Sequence, residues 1–141
     1  MTAIDLGSRL ELMVDDYLID WIDGAELRLQ HPTPQETVRV FDRPWEGTGC
    51  GYVTVFEDEG RYRMYYKAWD LRVNEEGVSG ASDGSSLQIC YAESDDGIHW
   101  ERPEAGLFEH EGSKANNIVF SGPGSHGFAP FRDPNPDAAP E

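Results

Sequence analysis

Residues 41–47, Phe-Asp-Arg-Pro-Trp-Glu-Gly, set a tryptophan and two carboxylates in a loop rich in proline and glycine. Loops held by a rigid scaffold often carry function, and carboxylates there can act as acid, base or nucleophile. A tryptophan covering the end of a sheet, with its carboxylates in water, explains the same residues without chemistry. Other chemistries have less to work with. Cys50 and Cys90 form no Cys-x-x-Cys pair and have no histidine at metal-ligand spacing, so both are read as free thiols. His31, His99, His110 and His126 do not cluster by spacing and are read as surface residues, and there is no nucleophile elbow or Walker loop. Asp133, Asn135 and Asp137 have the spacing of a calcium loop, but the intervening prolines oppose its turn and Ala138 replaces the needed glycine. No metal or cofactor is expected.

The elements that must position such a loop come from a chain of 141 residues, one domain at most. Hydrophobic residues at 38% exclude a disordered chain, and no apolar run reaches the length of a membrane span. With 27 acidic against 11 basic residues the net charge is -16, which repels nucleic acid and anionic membranes and favours neutral or cationic partners. Solubility alone also accounts for an acidic surface. The N-terminus has no basic start and no apolar core of a signal peptide, so a cytoplasmic site is the default, with secretion left open.

Residues 6–30 fit either a helix or short strands; the alternation of Leu27 and Leu29 with Glu26, Arg28 and Gln30 favours leading strands over 1–31. Residues 31–51 read as loop. Strands are expected at 52–57, 61–69, 87–94 and 98–101, with a polar loop over 70–86 and a two-residue Asp96-Gly97 hairpin turn. In 61–69, Tyr62, Met64, Tyr66 and Ala68 face one way and Arg63, Tyr65, Lys67 and Trp69 the other, so both faces of the sheet carry apolar groups. The fold class is therefore all-β: an antiparallel four-stranded unit over 51–101 of the length of a β-propeller blade, with residues 116–141 opening a second unit. One blade cannot close a ring, so the chain is read as an incomplete propeller or as a compact sandwich that only looks like a blade.

Six stretches in order carry a resemblance: 12–19, Pro-Trp-Glu-Gly at 44–47, 60–66, 90–100 with Ser-Asp-Asp-Gly-Ile-His-Trp, 112–119, and Phe-Arg-Asp-Pro-Asn-Pro at 131–136. Together they resemble the N-terminal part of bacterial proteins related to five-bladed β-propeller glycoside hydrolases, the clan of invertases and levanases, arabinanases and β-xylosidases, and mannoside phosphorylases. The resemblance implies a hydrolase-like propeller acting on a neutral glycan or oligosaccharide, inactive as this stretch alone because the ring and the acid residue of later blades are missing. It makes Glu46 a loose counterpart of the family nucleophile, and Asp133 of its transition-state-stabilising aspartate.

Glycosidic cleavage needs two converging carboxyl groups, and Glu46 and Asp133 are the candidates. Asp42 is held in reserve, Arg132 is a candidate to pair with a carboxylate or a sugar hydroxyl, and Trp45 to stack on a sugar ring. The alternatives are a non-catalytic carbohydrate-binding module using Trp45 and Trp69, or a protein-interaction blade. In either case open sheet edges favour self-association.

Overall fold

The computed structural model describes residues 4–80, 87–133, 135 and 137. It divides into two units, Met1–Gln35 and Glu36–Glu141. The described part of the first unit contains no helix or strand, only local turns such as those in which Asp5 and Asp15 accept the amides of Gly7 and Tyr17. The leading strands expected over 1–31 are absent among the described residues, 4–31, and Leu10, Leu12, Val14, Trp21 and Leu29 are exposed. Alternation supplies a face, but a strand also needs a partner for its backbone groups, and among the described residues none pairs with 6–30.

The second unit is built on a four-stranded antiparallel sheet. Its strands are β1 (Gly49–Asp58), β2 (Arg61–Trp69), β5 (Gln88–Ser94) and β6 (Ile118–Ser121), in the order β1-β2-β5-β6. Between β2 and β5 a separate hairpin forms from β3 (Leu71–Asn74) and β4 (Gly77–Gly80), where a plain loop was expected; 81–86 lie outside the described residues. The all-β expectation holds, with only short 3-10 turns as helix among the described residues, none able to cross a membrane.

Two strand assignments change. Residues 98–101 do not form the fourth strand; only Glu101 pairs, with Glu93, and the fourth place goes to β6, in the stretch expected to open a second unit. The cause lies in the turn, which is wider than the two-residue one expected. Ser94 Oγ accepts the amides of Asp96 and Gly97, Asp96 Oδ1 accepts those of Ile98 and His99, and Trp100 Nε1 donates to the Gly97 carbonyl. Side chains thus satisfy backbone that a strand would have paired.

β2 alternates as its sequence requires. Met64, Tyr66 and Ala68 join Cys90, Ala92, Ile118 and Trp100 in the core, with Phe41, Trp45, Cys50 and Phe108 packed against them. On the opposite face Phe56, Tyr65 and Tyr91 form a row across β1, β2 and β5, closed by Phe120 and Phe128. At the start of β1 the indole of Trp69 lies across the strand. A Cβ on Gly49 would stand 2.5 Å from Trp69 Nε1, so these glycines are strand residues that a large neighbour requires to be small. Gly49→Ala is expected to destabilise the protein by about 1–3 kcal/mol in urea unfolding, the usual cost of overpacking.

In the turn, Asp96 Oδ2 lies 2.7 Å from His99 Nδ1. Bonds from the His99 side chain and from the His99 and Ile98 amides hold the Asp96 carboxyl well below its usual range, and the Asp96 carboxylate raises the His99 imidazole. The depressed acid contributes stability above about pH 4, lost as pH falls; the raised base contributes below about pH 6.5, lost as pH rises through its folded value. The urea midpoint of the wild type should therefore fall more steeply than that of His99→Ala as pH rises from about 6.5 to 8. Parallel profiles would remove the dyad from the pH dependence.

Candidate functional site

The loop singled out by sequence folds into a 3-10 turn, Pro44–Glu46, ahead of β1. Proline at its first position presets φ and has no amide to satisfy, and Gly47 leaves the turn at φ 66. The turn sends Glu46 inward and leaves Trp45 half-buried at the surface.

Glu46 is sealed, its side chain 0% exposed. Oε1 accepts the Tyr66 hydroxyl at 2.5 Å; Oε2 accepts the Arg43 amide and Arg102 Nη2, each at 2.8 Å. Arg102, its side chain 7% exposed, also donates to the Val40 carbonyl and to Asp42. Asn117 extends the network: Nδ2 donates to the Tyr66 oxygen and the Tyr91 carbonyl, while Oδ1 accepts Trp45 Nε1 at 2.6 Å. Burial and the bond to Glu46 push the Tyr66 hydroxyl far up. Burial opposes the Arg102 charge, but its bonds to Tyr66 and Glu46 outweigh that and raise it. Burial, with Glu46 nearby, pushes the Cys50 thiol up to about 12. Cys90 is raised the same way, and both cysteines are free thiols.

The other candidates lie elsewhere. Asp42 is an exposed second acceptor for Arg102. Arg132 pairs with Asp58 at 3.3 Å, and Asp133, exposed beside it, accepts the Asn135 amide. Glu46 precedes Gly49 and Arg132 is tied to Asp58, the two ends of β1, which are about 30 Å apart at ~3.3 Å per residue. The structure does not bring Glu46 and Asp133 together, and the Glu46 carboxylate is sealed from solvent. Trp69 covers Gly49 and Gly51 rather than lying free.

Beside Trp45 lies a cleft of about 200 Å³ lined by Pro44, Trp45, His110, Glu111, Ser113 and Asn116. His110 stands edge-on to the Trp45 ring, centroids 6.4 Å apart. It opens a tight turn in which His110 and Ser113 exchange backbone hydrogen bonds, with Glu111 at φ 48 and Gly112 at φ 82. These are the two left-handed positions of a type I′ turn, and holding a glutamate in one costs of order 1 kcal/mol. Asn116 and the Trp45 N–H already have protein partners. The His110 ring, the Glu111 carboxylate and the Ser113 hydroxyl proton remain for a ligand. Among the described residues no three His, Cys, Asp or Glu side chains converge as a metal site.

Sequence reasoning missed Arg102, Tyr66 and Asn117 as parts of this site. Arg102 meets Glu46 across 56 residues and has no local signal; Tyr66 was legible as a core-facing position, but not as a donor. His110 was dismissed as a surface residue, because nothing in its neighbourhood announces Trp45.

Glu46→Gln should lower stability by roughly 3 kcal/mol, because it leaves a buried guanidinium without its counter-charge, while Asp133→Asn should change it by less than ~0.5 kcal/mol. Urea unfolding of the two variants checks this directly.

No protein-family model, curated protein or solved structure matches this chain.

Proposed function

We propose that this chain is a carbohydrate-binding sheet of a glycoside-hydrolase-like β-propeller, and that it holds a neutral glycan in the cleft beside Trp45. The observation that carries the reading is the cleft itself: a half-buried indole wall, volume for about one sugar ring, and a rim of unengaged polar groups on His110, Glu111 and Ser113. Saccharide sites combine these features, an aromatic surface for the C–H groups and a polar edge for the hydroxyls. The net charge of -16 disfavours anionic glycans.

Binding without catalysis by this sheet alone is favoured over hydrolysis. A glycosidase needs its two carboxyl groups within about 10 Å of each other across the scissile bond. Glu46 is enclosed, and Asp133 is anchored toward the other end of β1. In the propeller reading, blades beyond this sheet would supply the second carboxylate and the ring that opens onto it.

Titration with neutral oligosaccharides, followed by tryptophan fluorescence, tests the proposal. Saturable binding is expected, weakened about tenfold in Trp45→Ala, the scale of one aromatic contact. Trp45 also packs on the core, so His110→Ala, at the rim, serves as the second variant and should weaken binding while the unfolding midpoint stays unchanged. A folded protein that saturates with no sugar, or that binds equally well in both variants, would overturn the reading.

A further inference from the structure

The polar rim of the Trp45 cleft is unbalanced, and the imbalance points to a chemical class of ligand. The groups that could have donated there are already engaged. Trp45 Nε1 is bonded to Asn117, and the Asn116 amide donates to the carbonyls of Phe108 and Ser113. What lines the rest of the rim is the Glu111 carboxylate, with the His110 ring and the Ser113 hydroxyl beside it. Among the described residues no Lys or Arg forms an ion pair with Glu111, and no basic side chain other than His110 lines the cleft.

Two further features act in the same direction. Glu111 is held at φ 48 by the His110–Ser113 turn, a conformation that glycine or asparagine would adopt at lower cost. The carboxylate is thus carried at a strained position on the lip of the cleft, one residue from the imidazole that meets Trp45. In addition, the negative field of a chain of net charge -16 raises the local concentration of cations.

Resting on the saccharide reading of this cleft, we infer that its preferred ligand is an amino sugar, a pyranose in which a protonated amine replaces one ring hydroxyl. The amine donates to the Glu111 carboxylate while the ring lies against Trp45. A neutral sugar makes the same ring contact and loses the charge-assisted hydrogen bond.

The test compares three disaccharides of similar size at low ionic strength and about pH 6, where the sugar amine is charged. These are a glucosamine disaccharide, its fully N-acetylated counterpart, and cellobiose. Binding is read by tryptophan fluorescence and by isothermal calorimetry. The glucosamine disaccharide is expected to bind about fivefold more tightly than the other two, the scale of one exposed ion pair, and Glu111→Gln should abolish that preference, so that the three disaccharides bind alike. Equal binding of all three overturns the amino-sugar inference and leaves the saccharide reading standing. A preference that persists in folded Glu111→Gln also overturns it, by tracing the effect to the overall charge rather than to this rim. Binding of none of the three by the folded protein overturns both readings.

Discussion

Glu46 and Arg102 meet inside the protein at 2.8 Å after the chain has travelled 56 residues between them. Removing two charges from water costs several kcal/mol per ion, and their attraction offsets this only when the remaining hydrogen-bonding capacity is met. On the carboxylate it is met, by Tyr66 and the Arg43 amide. On the guanidinium side it is not complete, since the buried Nε atoms of Arg102 and its neighbour Arg39 have no partner. The pair therefore contributes less to net stability than to choosing one arrangement. The pair joins the turn before β1, the segment after the Ser94–Trp100 turn and the core face of β2, and an arrangement that parted them would leave a charge alone in the core.

The same network reaches the rest of the sheet through Asn117. Its amide spans Trp45, Tyr66 and the β5 backbone, and the next residue, Ile118, begins β6. Three strands and two loops are thus referred to one polar cluster on the core face. The opposite face is organised differently, by ring packing and by Lys67, which lies over the Tyr52 ring and donates to the His126 carbonyl. Tyr52 takes up a left-handed backbone, φ 52, in the irregular stretch of β1 between Gly51 and Thr54. A cation–π contact and a buried lysine there are consistent with a strand bent to fit its neighbour.

How far the sequence could be read depended on whether the deciding partner was local. The alternation in β2 depends only on neighbours along one strand, and it gave the right face for Met64, Tyr66 and Ala68. The glycines at 47, 49 and 51 looked like loop punctuation, because Trp69, whose backbone crowds Gly47 and whose ring crowds Gly49 and Gly51, lies on the adjacent strand. Ile98–Trp100 looked like a strand, but Asp96 Oδ1 takes the amides of Ile98 and His99. In residues 6–30 the pattern was real and the pairing was missing, which no one-dimensional pattern can reveal. At the candidate site, Trp45 and Glu46 were legible as residues and illegible as roles, since both roles depend on Arg102, Asn117 and His110, all far along the chain.

Adjacent residues 45 and 46 have opposite tasks, one forming the wall of a cleft and the other fixed in the core by an ion pair. Trp45 has its N–H held by Asn117 and its neighbour held by Arg102, so little side-chain freedom is left to lose when a ligand arrives. Preorganisation of this kind raises affinity without adding contacts. In the proposed saccharide reading, a change at Glu46 would weaken binding at Trp45 although the carboxylate is sealed from the cleft. Loss of function at that glutamate would then look like loss of a catalytic group. Only stability measured beside function separates a residue that reacts from one that holds its neighbour in place.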